Sequence, residues 1–300
     1  MTDFTSGFCA IVGRPNSGKS TLINSLVGKK VALSSSFPQT TRGESRYILH
    51  LPSCQAVLVD TPGIGKPRTL LGERLNGEAL RSVASADMAL FLTPADEELG
   101  KGDRRIIANL HSLLSKRKEG VSEWQIPVVA VVTKADAADR EKLEEKMKAV
   151  EGAANFTKVL AVSSFTHYHM EKLEDLISSL LPAGPALYGP QEEEESVEKS
   201  ASEIVRSAFL PLLRDELPHS LVVRCERAGE RELLFKVYVE KESQKGIVIG
   251  KGGSVLSRVR KDALPDLKRL LGGNPSMKFE VKVAKDWQKD PKKLDFFGYY

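Results

Sequence analysis

Two short stretches of this chain have the residue types and spacing needed to hold phosphate groups, and both depend on glycine. Gly13-Arg-Pro-Asn-Ser-Gly18-Lys19-Ser20 fits G-x-x-x-x-G-K-[ST], directly after an apolar run and directly before a helical pattern of Leu22, Ile23 and Leu26. Glycines let such a loop wrap closely around a phosphate chain, while its N–H groups and the helix start offer partial positive charge. Lys19 would neutralise the β and γ phosphates and Ser20 would ligand Mg2+; Asn16, Ser17, Gly18 and Thr21 complete the set. The second stretch, Ile249-Gly250-Lys251-Gly252-Gly253, holds a G-x-x-G between an apolar segment and a helix. Glycine there admits a sugar–phosphate backbone, Lys251 adds a phosphate contact, and Arg258 follows on the next helix beside Arg260 and Lys261, of which about half can face a nucleic acid.

Three more groups end apolar runs. Asp60-Thr-Pro-Gly63 supplies a carboxylate for Mg2+, and the Gly63 N–H is placed to touch a γ phosphate, a contact that hydrolysis removes. In Thr133-Lys134-Ala-Asp136, the Asp136 carboxylate accepts two hydrogen bonds from a guanine edge, a donor pair that adenine lacks, and the Lys134 stem packs over the base. Ser163-Ser164 follows the last apolar run, and Pro38-Gln-Thr-Thr-Arg42 lies between the first two phosphate-facing groups. Both resemble segments of known GTPases, which implies backbone at Ser163 and Ser164 for the guanine oxygen and Thr41, with Thr40 the alternative, as a Mg2+ ligand. His167 and His169 lie in a polar loop and are read as solvent-facing rather than as metal ligands.

These groups need a frame. Apolar runs at 8–13, 56–60, 88–92, 128–132 and 159–162 read as buried strands, with helices at 19–27 and around 70–85, 103–118, 139–151 and 171–180, and an antiparallel edge strand at 46–51. Strands apolar on both faces and separated by helices predict an α/β domain over 1–181 with a mostly parallel sheet covered on both sides. Residues 182–200, with Pro182, Pro185, Pro190 and the acidic run Glu192–Glu195, read as an exposed linker. Over 201–300 the pattern is α+β: a helix near 201–214, strands near 220–228 and 232–241 with a turn at 228–230, the glycine loop, helices at 254–261 and 264–271, and a strand at 277–285. Trp287 is expected in the core, with base stacking as the alternative.

Bulk properties narrow the class. With 41% hydrophobic and 28% charged residues in 300, the chain is neither disordered nor short of core for two domains. Ala201 onward carries 20 Lys/Arg against 14 Asp/Glu, while the first 200 residues carry 24 against 26, so the excess of positive charge lies in the C-terminal third, as a polyanion partner requires. Cys9, Cys54 and Cys225 form no metal or disulfide pattern, which fits buried thiols in a reducing compartment. The N-terminus shows no signal-peptide pattern, and no apolar run approaches the ~20 residues that span a bilayer.

With the boxes at Gly13–Ser20, Asp60–Gly63, Thr133–Asp136 and Ser163–Ser164 in order at strand ends, the sequence resembles the P-loop GTPases. The Gln39-Thr-Thr-Arg42 segment, the Val248-Ile-Gly-Lys-Gly-Gly253 loop and the tail from Trp287 to Tyr299 narrow the resemblance to the Era family, over roughly 7–299. That family implies a P-loop GTPase domain followed by a type II KH domain, and a GTP/GDP switch that binds the 3′ end of small-subunit rRNA and promotes assembly of the small ribosomal subunit. A cytoplasmic monomer is expected; some members also associate peripherally with the membrane. Two departures matter. Thr133 stands where many members have Asn, expected to weaken one tethering hydrogen bond, and Ser164 replaces the usual Ala. Ile64 follows Gly63 where Ras-type enzymes place a water-orienting Gln, so hydrolysis is expected to be slow. Asn16 matches the position that in some relatives ligands K+, which implies hydrolysis faster in K+ than in Na+. The rival readings are an RNA scaffold whose affinity ignores the nucleotide, and a GTPase acting on a protein or membrane partner; an ATPase is disfavoured by Lys134 and Asp136.

Overall fold

The computed structural model describes residues 4–28, 44–67, 69–118, 121–189, 196–214, 217–229 and 231–300. Thr40 and Thr41, with the rest of the Pro38–Arg42 segment, lie outside them. The chain divides into two compact units, Met1–Pro67 with Gly72–Glu194, and Arg68–Leu71 with Glu195–Tyr300.

The first unit runs β1 (Thr5–Gly13), α1 (Lys19–Val27), β2 (Ser45–Leu51), β3 (Cys54–Asp60), α2 (Leu70–Ala84), β4 (Met88–Pro94), α3 (Lys101–Leu114), β5 (Ser115–Lys118), β6 (Val121–Trp124), β7 (Val128–Thr133), α4 (Arg140–Glu151), β8 (Lys158–Ala161) and α5 (Met170–Leu180). Six strands form one sheet in the order β2-β3-β1-β4-β7-β8, parallel throughout except for β2 at the edge. The run 88–94 is buried at every position because both faces are covered. Leu22, Ile23 and Leu26 of α1 and Leu173 and Ile177 of α5 close one face. Ala79 and Val83 of α2, Ile106 and Leu110 of α3 and Val150 of α4 close the other. Register then fixes the site: Ile11 pairs with Asp60, Gly13 with Leu92 and Pro94 with Thr133, so the carboxyl ends of four strands finish on one edge of the sheet. In open parallel sheets that edge, at the point where connections leave for opposite faces, is where ligands bind.

Two local expectations change here. The helix expected over 103–118 stops at Leu114, and Ser115–Lys118 (β5) pairs antiparallel with Val121–Trp124 (β6). The segment 182–188, assigned to the linker on its Pro and Gly content, is tied to the sheet although most of its side chains are exposed. Ser6 N donates to Pro182 O at 3.0 Å and Gly184 N to Phe4 O at 3.1 Å. The buried Gln55 amide accepts from Leu187 N (2.6 Å) and Tyr188 N (2.9 Å) and donates to Tyr188 O (2.8 Å). Proline removes N–H donors from such a strap without preventing its carbonyls from accepting.

The second unit runs α6 (Val197–Phe209), α7 (Leu217–Ser220), β9 (Val222–Arg227), β10 (Glu232–Val239), α8 (Glu242–Ile249), α9 (Ser254–Leu271), β11 (Ser276–Val283) and α10 (Pro291–Phe297). The sheet order is β11-β10-β9, antiparallel between β9 and β10 and parallel between β10 and β11. A parallel pair requires a crossover, which α8 and α9 supply. The α-β-β-α-α-β order is the expected one, but its two central helices are α8 and α9, not 254–261 and 264–271. Residues 242–249 form a helix before the glycine loop, started by Gln244, whose Oε1 accepts from both Glu240 N and Lys241 N at 2.9 Å. The helix after the loop passes through Pro265 without ending, held by the buried Val259, Ala263 and Leu267. Inner-face residues Leu233, Phe235, Val237 and Met277 pack with Val205 and Phe209 of α6. Trp287 is fully buried, its Nε1 donating to Ser220 O at 2.8 Å, which settles it as a core residue and removes it as a base platform.

All three cysteines are buried. Burial pushes the Cys9 thiol far up, with Cys54 adding to it, and pushes Cys225 up to about 12. The thiolate is the reactive form. At pH 8 the native protein is therefore expected to leave all three unmodified by a thiol-directed reagent that labels all three in denaturant; labelling of native protein at the rate of a free cysteine would contradict this burial.

Candidate functional site

The loop from Gly13 to Ser20 joins the end of β1 to the start of α1 and needs an unusual backbone. Asn16 has φ 64° and Gly18 φ 92°. A Cβ on Gly13 would lie 2.4 Å from Ser17 Oγ and 2.7 Å from Leu92 O, so only glycine lets the loop fold this tightly. Inside it, the Lys19 ammonium is almost withdrawn from solvent, 7% exposed for the residue, and donates to Arg14 O at 3.1 Å and Gly13 O at 3.4 Å. Burial pushes its pKa below the usual lysine range, and the Asp60 carboxylate pulls the other way. A buried cation beside carbonyls and amides is a ready counter-charge for phosphate. Thr21 lies one residue further along α1, exposed.

Ser20 Oγ donates to Asp60 Oδ2 at 3.2 Å, both residues buried. A hydroxyl and a carboxylate within hydrogen-bond distance are hard oxygen donors, the set Mg2+ takes when phosphates and waters complete its shell. Ser20 and Asp60 therefore fit as its protein ligands. Thr61 Oγ1 donates to Ile11 O at 2.8 Å, holding the end of β3 to β1. Gly63 lies against the phosphate loop, where a Cβ would come within 2.8 Å of Pro15 N, and Ile64 N donates to Gly13 O at 3.2 Å. The Ile64 side chain is 1% exposed and belongs to the core, so it orients no water.

At the other end of the site, Thr133 is 4% exposed and its Oγ1 donates to Ser17 O at 2.8 Å. The tether expected to weaken with Thr in place of Asn is present, made by the shorter hydroxyl because β7 brings Thr133 directly beside the loop. Lys134 adopts φ 55° and pairs through Nζ with Asp96 at 3.1 Å. Asp136 is exposed, and its Oδ1 accepts from Ser163 Oγ; that hydroxyl in turn accepts from Thr166 N at 3.0 Å. Ser25 Oγ reaches Ser164 O at 3.5 Å. The structure thus brings Gly13, Asn16, Ser17, Gly18, Lys19, Ser20, Asp60, Gly63, Thr133, Lys134, Asp136, Ser163 and Ser164 to one edge of one sheet.

Sequence reasoning missed the support of the phosphate loop. Arg14 Nε donates to Asp103 Oδ1 at 2.9 Å and its NH2 to Glu97 Oε2 at 2.6 Å. The Asp103 side chain is fully buried, and its other oxygen accepts from Gly100 N at 3.0 Å, so one carboxylate both caps α3 and fixes the loop. Lys146 of α4 donates to Glu97 O at 2.6 Å. Nothing in the local pattern marks Asp103 as the partner of a residue 89 positions earlier.

In the second unit, Gly250 has φ 76° and ψ 161°, and a Cβ there would lie 2.7 Å from Ser254 Oγ and Val255. Gly252 (φ 60°) and Gly253 (φ 81°) are left-handed with open space beside them. Lys251 is exposed, and Ile249 is half-buried next to the loop. Arg258 is 60% exposed and paired with Asp262 at 2.8 Å, so a phosphate would compete with that carboxylate. Arg260 donates to Met277 O at 2.9 Å and lies over the Phe279 ring, which ties part of its guanidinium to β11.

Comparison with known proteins agrees with both halves. The family model described as 50S ribosome-binding GTPase matches residues 8–134, and that of the KH domain matches residues 216–288. The GTPase Era of Mycobacterium tuberculosis (strain ATCC 25618 / H37Rv) is 44% identical over 308 residues, covering 100% of both chains. That of Mycobacterium avium (strain 104) is 42% identical with the same coverage. Among solved structures, Era in complex with MgGDPNP and nucleotides 1506–1542 of 16S ribosomal RNA superposes with a TM-score of 0.89 at 30% identity over 99% of each chain. A variant of Aquifex aeolicus Era bound to GDP·AlF4− gives 0.88 at 29% identity, again over 99% of each chain.

The Thr133 tether gives the site a direct test. One net hydrogen bond contributes about 1 kcal/mol, so Thr133→Val, matched in shape, is expected to weaken GDP binding roughly five- to tenfold, while Thr133→Ser keeps it within about twofold. Equal GDP dissociation constants for the valine variant and the parent would contradict the tether.

Proposed function

The chain belongs to the Era family of GTPases, and from that premise we propose that it is a GTP-hydrolysing switch that binds the 3′ end of small-subunit rRNA and promotes small-subunit assembly. The observation that carries this reading is the full-length likeness, at 99% of each chain, to an Era holding both MgGDPNP and a 16S rRNA segment. The chain has its own residues for both ligands: a phosphate loop with a buried Lys19 and a glycine loop with an exposed Lys251.

We assign the nucleotide roles as follows. Gly13 to Thr21 embrace the phosphates, with the Lys19 ammonium moving from the Gly13 and Arg14 carbonyls onto the β and γ oxygens. Ser20 and Asp60, with Thr41, would hold Mg2+, which would offset the phosphate charge. Asp136 reads the guanine N–H pair, Lys134 and Thr133 frame the base, and the Ser163 and Ser164 backbone faces its oxygen. Asn16, exposed at φ 64°, is the proposed K+ ligand. Hydrolysis needs no protein nucleophile. It rests on positioning and charge neutralisation, with the Gly63 N–H on the γ phosphate. Because the Ile64 side chain is buried, the parent rate is slow and open to stimulation by RNA or the ribosome.

Ile249 to Gly253 and Arg258 take the RNA role. Gly250 admits the sugar–phosphate backbone, and Lys251 and Arg258 supply charge. The protein is read as a monomer. No helix among the described residues is long and apolar enough to cross a membrane. An rRNA partner argues for a cytoplasmic protein; peripheral membrane association has only the family resemblance behind it.

The test is binding of full-length protein to an oligoribonucleotide that copies the 3′ end of small-subunit rRNA, followed by fluorescence anisotropy. Binding at least about tenfold tighter with a non-hydrolysable GTP analogue than with GDP is expected of a switch. Equal binding in both states would make the protein a scaffold, and no binding in either would leave a GTPase with a different partner.

A further inference from the structure

The segment from Thr61 to Pro67 joins β3 to α2 without regular secondary structure of its own. Its backbone groups must find partners elsewhere. Three hydrogen bonds hold its centre. Ile64 N donates to Gly13 O in the phosphate loop at 3.2 Å. Gly65 N donates to Asn76 Oδ1 at 3.2 Å, and Asn76 Nδ2 donates to Gly65 O at 2.8 Å. A single primary amide thus takes both backbone groups of one residue, as a neighbouring strand would. Aspartate lacks the donor and leucine lacks both groups.

The position of that clamp is what gives it a consequence. Gly65 lies two residues past Gly63 and one past the buried Ile64. Gly63 is pressed against the phosphate loop so closely that a Cβ would meet Pro15 N at 2.8 Å. Asn76 on α2 and Gly13 on the loop therefore grip the segment from opposite sides. The same helix also grips Glu44, directly before β2. Glu44 N donates to Glu78 Oε1 at 2.6 Å, and the buried Ser82 donates through Oγ to Glu44 Oε2. One helix thus holds both the Gly65 peptide and Glu44.

We propose that Asn76 is a positioning residue for GTP hydrolysis: by fixing the Gly65 peptide it holds the Gly63 N–H where a γ phosphate, and only a γ phosphate, reaches it. The proposal rests on the GTPase reading above. It distinguishes the two nucleotides, because GDP has no group at that place. Losing the clamp lets Gly63 drift from the loop, so the analogue loses affinity and hydrolysis slows, while GDP binds as before.

The experiment compares the parent with Asn76→Leu and Asn76→Asp in single-turnover GTP hydrolysis and in affinity for fluorescent GDP and a fluorescent non-hydrolysable GTP analogue. Asn76→Leu is expected to lower the hydrolysis rate about tenfold and the analogue affinity several-fold, with GDP affinity within about twofold of the parent. Asn76→Asp keeps the acceptor for Gly65 N and falls between the two, whether or not the leucine variant folds. Parent rates and an unchanged analogue-to-GDP ratio in Asn76→Asp would overturn the proposal, as would equal losses of both nucleotides, which would mark Asn76 as a merely structural residue. The parent run in the same assay separates the two levels: no hydrolysis there defeats the GTPase reading, whereas parent hydrolysis matched by the variants defeats only the role of Asn76.

Discussion

The Lys19 ammonium is held almost out of water, and the organisation of the first unit follows from what that requires. A buried cation is costly unless partners surround it. Here they are the Arg14 and Gly13 carbonyls, with the Asp60 carboxylate nearby. Each partner is itself fixed from elsewhere. Asp60 ends a fully buried strand, Arg14 is pinned by the buried Asp103, and Gly13 O also receives Ile64 N. The loop is thereby held, with its positive φ angles at Asn16 and Gly18, by partners on different elements of the fold. Binding energy that does not go into ordering a loop is left for contacts with the ligand.

From this follows the connection between the nucleotide and more distant parts of the chain. Three strand ends meet the loop: β3 through Asp60 and the segment after it, β4 through Leu92, and β7 through Thr133. The segment after Asp60 touches both the phosphate loop and α2, so a change at the γ phosphate has a physical route into that helix through Gly63, Gly65 and Asn76. On the opposite side, Asp96 and Glu97 take Lys134 and Arg14, linking the segment after β7 to the loop after β1 through one short connection after β4. The second unit contributes a different device. Its glycine loop offers backbone rather than a charged pocket, and Gly250 is fixed as glycine by the approach of Val255.

Much of this was legible in the sequence, for identifiable reasons. Strands such as 88–94 show as uninterrupted apolar runs because helices cover both faces, and the phosphate-facing groups show because they end those runs. What escaped depended on distance along the chain or on context. Asp103, Gln55 and Asn76 are ordinary polar residues locally; their partners Arg14, Tyr188 and Gly65 become visible only in three dimensions. The run Gly246-Ile-Val-Ile reads only as an apolar segment, since β-branched residues do not mark a helix; the cap from Gln244 and the glycine loop beyond make it the end of one. The two helices expected at 254–261 and 264–271 are one, because the buried Val259, Ala263 and Leu267 keep α9 continuous through Pro265. A motif records residue type and not reach, so that the Thr133 hydroxyl reaches Ser17 O becomes visible only in three dimensions.

The central claim is that the nucleotide site and the RNA site share free energy, and linkage makes that claim testable from the nucleotide side. Calorimetric titration of the GTP analogue and of GDP into full-length protein, alone and saturated with the rRNA 3′-end oligoribonucleotide, measures it directly. If the two sites are coupled, RNA raises the analogue-to-GDP affinity ratio by the same factor by which the analogue, relative to GDP, raises RNA affinity. An affinity ratio unchanged by saturating RNA would contradict the account, leaving two independent binding domains on one chain.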